Sequence, residues 1–120
     1  MAHLRAERYR LESLPQDNPI KGALRRRVIG EQAMLSELRM DKGCTVTPHA
    51  HANEQFIVLL SGKVRFSVKE SGHSNPQEIT LEPGDVMYLP SNVLHGAVCL
   101  EDSRALEIFS PVSERTGVDS

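Results

Sequence analysis

The chain of 120 residues lacks the features that identify several large classes of protein. No apolar run approaches the ~20 residues that a membrane-spanning helix needs. The first ten residues, MAHLRAERYR, carry charges and no apolar core, so no secretory signal is visible. The formal net charge of -2 favours neither a nucleic acid nor an anionic membrane as a partner. We therefore expect a cytoplasmic protein that binds neither of them.

Cysteine is also scarce. Cys44 and Cys99 are far apart in the sequence and lack the spacing of a metal knuckle. Two free thiols are the default in a reducing cytoplasm. We expect each to act as a small buried hydrophobe. Cys99 shares a strand face with His95, whereas Cys44 lies on the opposite face from His49 if its strand is regular.

The pattern along the chain is that of short strands separated by Gly and Pro turns, with no helix of normal length and no internal repeat. The run 56–60 is apolar at every position, which predicts a strand buried on both faces. The length suits one all-β domain, with an N-terminal arm at 1–25, a barrel at 26–111 and a polar tail at 112–120. Strands are predicted at 10–14, 28–40, 44–49, 56–60, 63–68, 78–81, 86–89, 95–100 and 104–109.

Three of the five histidines form a pattern that points to a metal site. His49 and His51 are two residues apart on a predicted strand, so their imidazoles leave the same face. Gln55 follows after a bend, and His95 comes directly after a Pro-containing turn on a distant strand. A β-barrel would bring His95 over the other three, and imidazoles grouped in this way are typical metal ligands.

The spacing around these residues resembles the two motifs of the cupin family. The first family motif is Gly, five residues, His-x-His, three or four residues, Glu, six residues, Gly. Its counterpart here is Gly43, His49, His51, Gln55 and Gly62 at the same intervals.

The second family motif is Gly, five residues, Pro-x-Gly, two residues, His, three residues, Asn. Its counterpart here is Gly84, Pro90, Asn92, His95 and Cys99, again at matching intervals. Asn92 is a mild departure, because Asn tolerates the left-handed conformation that a turn glycine supplies. The resemblance implies a cupin double-stranded β-helix, or jelly-roll barrel, with one divalent metal ion on His49, His51, Gln55 and His95.

Gln55 stands where the family usually has Glu, and Glu54 precedes it. Adjacent strand residues face opposite ways, so only one of the two can reach the metal. The interval to Gly62 favours Gln55 over Glu54. Three imidazoles and an amide would leave the full charge of the ion in place, which favours Lewis-acid chemistry over oxidation.

Several residues outside the two motifs could also take part in function. Glu37, Tyr88 and Glu107 are candidates for the proton-transferring residue, provided that their strands turn them inward. The run of arginines at 25–27 is either a solvated patch or the source of one arginine that pairs with a substrate carboxylate. His3 and His73 fall in polar segments and are expected to be solvated.

The resemblance implies three possible functions. The first is an enzyme that uses the metal as a Lewis acid on a small oxygen-rich substrate, as in cupins that linearise unsaturated uronates and in monocupin polyketide cyclases. The second is a non-haem iron dioxygenase, and the third is a non-catalytic module that binds a metal or a small ligand. Zn, Ni, Fe, Mn and Cu all suit the ligand set. A homodimer is expected, since a small barrel leaves a sheet edge and an apolar sheet face exposed.

Overall fold

A computed structural model describes residues 5–70, 72 and 75–112 of the chain. His3, His73 and all but the first residue of the predicted tail at 112–120 lie outside the described residues. A short 3-10 helix, η1, is followed by nine β-strands, and the bounds are η1 Leu11–Ser13, β1 Ala23–Ile29, β2 Met34–Met40, β3 Thr45–His49, β4 Glu54–Ser61, β5 Val64–Lys69, β6 Gln77–Leu81, β7 Val86–Leu89, β8 Leu94–Cys99 and β9 Ser103–Ser110.

The strands form two antiparallel sheets, which confirms the all-β jelly-roll fold. The larger sheet has the order β1-β2-β9-β4-β7, and the smaller one has the order β3-β8-β5-β6. Neighbours in the sheets are mostly distant in sequence, as β2 with β9 and β3 with β8 show. The pairing of β3 with β8 therefore brings the histidines of the two motifs together.

Alternation of side chains places the core between the sheets. Val64, Phe66 and Val68 of β5 are buried, while the residues between them are exposed or partly exposed. Cys44 and Cys99 both belong to this core as free thiols. Burial raises the pKa of the Cys99 thiol to about 11, so this residue fits the expected role of a small hydrophobe.

Three strand predictions differ from the structure. The segment 10–14 contains η1 in place of a strand, because Leu14 N–H and Ser13 N–H bond back to Leu11 and Arg10. The segment 28–40 is two strands, β1 and β2, joined by a turn in which Gly30 N–H donates to the Ala33 carbonyl at 2.9 Å. The first of these strands begins at Ala23, five positions before the predicted start at residue 28.

The third difference concerns β4, which was predicted to be buried on both faces. Gln55, Ile57 and Leu59 face the core, but Phe56 and Leu60 on the other face remain 41% and 38% exposed. Within the described residues, the outer face of the larger sheet is uncovered at these positions.

As for membranes, the described residues include no helix of the length and apolarity needed to cross one.

Candidate metal centre

A bulge at the end of β3 places the first two histidines. Val46 and His49 both line the barrel interior, although they are three positions apart and a regular strand would turn them to opposite faces. The register of β3 against β8 shifts between these two residues, at a segment that contains Pro48. The bulge therefore brings Val46 and His49 to one side. Because β3 is not regular, the condition for the prediction that Cys44 faces away from His49 does not hold.

Gly96 on β8 makes room for this bulge. A Cβ atom at Gly96 would lie 2.9 Å from the Val46 carbonyl oxygen and 3.1 Å from the nitrogen of Pro48. Pro48 cannot donate to a strand ladder and is tolerated because β3 is an edge strand. The prediction that His49 and His51 lie on one regular strand is wrong. Strand β3 ends at His49, and His51 lies in the connection to β4.

The turn before β8 positions His95. Asn92 has a φ of 66°, the left-handed conformation expected at this position. Its N–H donates to the carbonyl oxygen of His51 at 2.7 Å, which ties the second motif to the first. Directly after this turn, His95 pairs with His49 across the β3–β8 ladder.

The three histidines converge on one point. Their ring centroids are 5.5 Å apart for His49 and His51, 4.4 Å for His49 and His95, and 5.1 Å for His51 and His95. One nitrogen from each ring lies within 4.8 Å of the others. A cluster of this size can hold a metal ion.

Hydrogen bonds fix the tautomer of each ring. The Nδ1–H groups of His49, His51 and His95 donate to the carbonyl oxygens of Thr47, Asn53 and Val93, at 2.8, 3.1 and 2.9 Å. A carbonyl oxygen only accepts, so the proton is on Nδ1 and the lone pair on Nε2. Backbone bonds of this kind orient metal-binding histidines. All three Nε2 atoms are therefore available to the centre.

Gln55 completes the group. Its Nε2 donates to Glu107 Oε2 at 2.9 Å, and its Oε1 lies 3.1 Å from Nε2 of His51. With the His51 proton on Nδ1, two acceptor atoms face each other at this contact, an arrangement that a cation bound between them would stabilise. The Nε2 of His49 is also buried without a hydrogen-bond partner among the described residues. The donor set fits a divalent metal ion.

Burial disfavours the charged forms of His51, His95 and Glu107. It lowers the pKa of His95 to about 4 and also lowers the pKa of His51. It raises the pKa of Glu107 to about 7, against the opposing effects of the Gln55 hydrogen bond and the Arg25 charge. Burial therefore favours the neutral imidazoles of His51 and His95 at neutral pH, the form that metal binding requires.

The other candidate site residues lie on different faces of the larger sheet. Glu54 points outward and accepts a hydrogen bond from the Tyr88 hydroxyl at 2.6 Å. Tyr88 is 48% exposed. Glu37, although buried, also lies on the outer face, where it pairs with three arginines. Glu37 and Tyr88 thus fail the condition that their strands turn them inward, and Glu107 meets it.

Arg25 is the one member of the arginine run that is fully buried. Its side chain is 3% exposed, and its Nε donates to Asp17 Oδ1 at 3.1 Å. Asp17 comes from the arm, which bridges to β1 at this point. Arg25 lies close enough to lower the pKa of Glu107, but it does not line the cavity at the centre. A pairing between Arg25 and a substrate carboxylate stays a prediction.

A narrow cavity lies on the inner side of the centre. It has a volume of about 30 Å³, roughly the space of one water molecule. Its polar lining residues are His49, Gln55, His95 and Glu107, and its wall is otherwise apolar. His49 and His51 are partly exposed, so the centre is accessible from their side.

Two antiparallel sheets with a three-histidine centre between them define a small metal-binding β-barrel protein. The family model described as "Cupin domain" matches residues 36–110. The chain belongs to the cupin family.

Solved structures agree with this assignment. An RmlC-like cupin from Shewanella frigidimarina is 25% identical, covers 91% of this chain and 95% of its own, and has a TM-score of 0.80. KdgF from Halomonas sp. is 26% identical, with 92% and 97% covered and a TM-score of 0.77. Oxalate decarboxylase from Bacillus subtilis shares the fold, at 18% identity and a TM-score of 0.79, over 94% of this chain and 32% of its own.

One curated protein is similar in sequence. The bifunctional lysine-specific demethylase and histidyl-hydroxylase NO66 of Branchiostoma floridae is 37% identical over 68 residues, which make up 57% of this chain. The chain matches only 11% of the length of that relative.

Proposed function

We propose that this cupin is an enzyme in which His49, His51, Gln55 and His95 hold one divalent metal ion. The observation that carries the proposal is the meeting of Gln55 Oε1 and His51 Nε2, two acceptors 3.1 Å apart. Each competing proton is held elsewhere: the imidazole protons by backbone carbonyls, and the amide protons on the Gln55 nitrogen that bonds to Glu107. The four atoms that remain are ligand atoms.

We propose Lewis-acid chemistry at this centre. Three neutral imidazoles and a neutral amide leave the charge of the ion uncancelled by its direct ligands. Such an ion, when bound, polarises a substrate carbonyl and lowers the pKa of a bound water. Gln55 keeps its oxygen directed to the ion because Glu107 holds its nitrogen.

Glu107 is the residue that we propose to take up and return the proton. It is the only one of the three sequence candidates that lines the cavity beside His49, Gln55 and His95. General acid–base catalysis requires a group within reach of the reacting atoms, and Glu37 and Tyr88 lie on the outer face of the sheet. The substrate approaches from the side of His49 and His51, since the inner cavity has room for about one water molecule.

The substrate class that we favour is a small oxygen-rich compound, either an unsaturated uronate that is opened and tautomerised or a polyketide that is cyclised. The resemblance of the sequence motifs to those of cupins that linearise unsaturated uronates and of monocupin polyketide cyclases supports these two classes. The ligand set, with Gln in place of the usual carboxylate, is compatible with either.

The test is an NMR assay of metal-loaded protein with an unsaturated monouronate and, separately, with a linear poly-β-keto substrate. We expect loss of one substrate with formation of the ring-opened or cyclised product, and no turnover by Glu107→Ala that retains its metal. Turnover of neither substrate by protein loaded with each of Zn, Ni, Mn and Fe, under anaerobic and aerobic conditions, would contradict the proposal.

A second candidate is a non-haem iron dioxygenase, which the match to the NO66 hydroxylase favours. It predicts oxygen uptake by protein loaded anaerobically with ferrous iron and then given oxygen and a diketone or catechol-like substrate. A non-catalytic binding module is the remaining alternative, and it predicts a metal ion with no exchangeable water, measurable by water proton relaxation on the manganese-loaded protein.

A further inference from the structure

Four charged side chains meet on the outer face of the larger sheet. Strand pairing aligns Arg26 of β1 with Glu37 of β2, and two positions further along β2 it aligns Arg39 with Arg104 of β9. Glu37 is buried, and its carboxylate lies within 3.4 Å of a guanidinium nitrogen of each arginine. Three cations therefore share one anion, so the group has a net charge of three minus one, or +2.

The carboxylate of Glu37 does not balance this group. Arg39 and Arg104 are directly opposite each other, and like charges in that position destabilise an antiparallel pair. The acidic residues that follow β2 and precede β9, Asp41 and Asp102, lie beyond the strand ends. Asp102 accepts a hydrogen bond from the backbone N–H of Lys42 at 2.8 Å. The sheet therefore holds an excess of positive charge here that a bound anion would offset.

The orientation of two of the arginines leaves hydrogen-bond donors for such an anion. Arg39 and Arg104 each reach Glu37 through Nε, and both donate to the same oxygen, Oε2. A guanidinium is planar and has five N–H donors. The fork formed by the two Nη groups of each side chain is thus left for a further acceptor. Arg39 is 49% exposed and Arg104 is 35% exposed, so a solute can reach both forks.

This arginine group is separate from the metal centre. Arg104 lies five positions along β9 from Phe109, the pairing partner of Gln55, which is roughly 16 Å at ~3.3 Å per residue. Gln55 and Phe109 face the core, whereas the arginine group lies on the outer face of the same sheet. An anion held by the arginines would therefore not contact the four proposed ligands.

We propose that Arg39 and Arg104 bind a phosphoryl dianion between them, either free phosphate or the phosphate group of a small phosphomonoester. A phosphate group carries about -1.5 to -2 charges at pH 7 and three strong acceptor oxygens. It can balance the arginine group and accept from both forks, since arginine matches phosphate geometry bidentately. A monocarboxylate has one charge and two oxygens, so it satisfies only one fork.

Isothermal titration of inorganic phosphate into the full chain, at an ionic strength held constant with chloride, tests the site. We expect one phosphate per chain, bound at least about tenfold more tightly than acetate, in metal-loaded and in metal-free protein. Arg39→Gln and Arg104→Gln should each weaken phosphate binding at least about tenfold, and Arg39→Lys, which keeps the charge but loses the fork, about threefold. The matched control is Arg65→Gln, at an arginine that is 46% exposed and pairs with Glu78 on the smaller sheet. It should leave phosphate binding unchanged.

A parallel titration with glycerol phosphate identifies the source of the phosphoryl group. Tighter binding of glycerol phosphate than of inorganic phosphate assigns the site to a phosphomonoester, and the reverse assigns it to the free ion. Circular dichroism establishes that the variants are folded, and Arg39→Lys keeps the test valid if a glutamine variant is not. The proposal would be overturned by acetate binding of equal strength, by unchanged phosphate affinity in the Arg39 and Arg104 variants, or by equal weakening in Arg65→Gln. Binding of neither phosphate compound, or binding to metal-loaded protein alone, would overturn it as well.

Discussion

At the scale of single residues, the exchange of Glu for Gln at position 55 decides how charge is distributed around the centre. The family's carboxylate is replaced by an amide, and a carboxylate, Glu107, stands directly behind it at 2.9 Å. The carboxyl group thus lies behind the ligand residue Gln55, where it contacts the amide nitrogen. Groups behind a metal ligand orient it and tune the site.

This arrangement predicts the outcome of a swap. Gln55→Glu alone places two carboxyl groups against each other, so we expect a loss of about 1–3 kcal/mol in the free energy of unfolding of the metal-free protein, as for an unmade buried hydrogen bond. The double variant Gln55→Glu/Glu107→Gln restores the bond with its polarity reversed and should recover most of the loss. Urea unfolding of the single and double variants measures it. A double variant no more stable than Gln55→Glu would show that the pair is not bonded in this way.

The residues of the centre were largely predictable from the sequence, and their environment was not. The period of two in a strand correctly turns Gln55 inward and Glu54 outward. It could not show that Glu107 meets Gln55, because that contact depends on the pairing of β4 with β9, strands some fifty residues apart. For the same reason the sequence left Glu37, Tyr88 and Glu107 as equal candidates.

At the scale of elements, the departures from regular strands are what shape the site. Pro48 was the available signal for the bulge in β3, since a proline in a strand marks an edge or a bulge. The turn that divides β1 from β2 is formed by residues 30–33, GEQA, which begin with a glycine and are otherwise unremarkable as a strand end. The apolar residues on both sides of this weak turn signal therefore led to the prediction of one continuous strand over 28–40.

Gly96 is predicted to control the bulge. Gly96→Ala would press a methyl group against the Val46 carbonyl and Pro48, and relief of that contact displaces His49. We expect metal affinity to fall about 10- to 100-fold, as for other changes that misplace a ligand without removing it. Isothermal titration of metal into the variant provides the measurement. Ala97→Gly on the same strand is the control, and equal affinities for Gly96→Ala and the natural protein would count against the bulge as the device that positions His49.

Glu37 on β2 is predicted to stabilise the sheet in a pH-dependent way. Burial raises its pKa, but the hydrogen bonds from Arg104 and Arg39 outweigh this, and the pKa lies below its ordinary value. A lowered pKa in the folded state means stabilisation that is present above the unfolded-state value of about 4.3 and is lost as the pH falls through the folded-state value.

Glu37→Gln should therefore be about 2 kcal/mol less stable than the natural protein at pH 7, since three arginines lose the ion pair with the buried Glu37 carboxylate. The difference should narrow as the pH falls below about 4. Urea unfolding at pH 7, 5 and 3 measures both. A difference in stability that stayed constant over this range would contradict the assigned ion pairs.

At the scale of the whole molecule, the jelly roll brings together His49 and His95, which are 46 positions apart in the sequence, by pairing β3 with β8. The fold was predictable because strand and turn signals recur along the chain at the cupin intervals. An exposed apolar sheet face was expected from the sequence, but its location was not predictable, because a strand such as β4 that is apolar on both faces looks the same whether its second face is covered or exposed.

A single titration tests whether the four side chains His49, His51, Gln55 and His95 hold one metal ion. Zn²⁺ or Ni²⁺ is titrated into metal-free natural protein, Gln55→Ala, His51→Ala and Glu54→Ala, with heat of binding as the readout. We expect one ion per chain for the natural protein and for Glu54→Ala, whose side chain faces away from the centre. Gln55→Ala and His51→Ala should bind at least about 100-fold more weakly, since loss of a direct ligand exceeds the 10- to 100-fold cost of losing an outer one. Full occupancy with unchanged affinity in both of these variants would contradict the account.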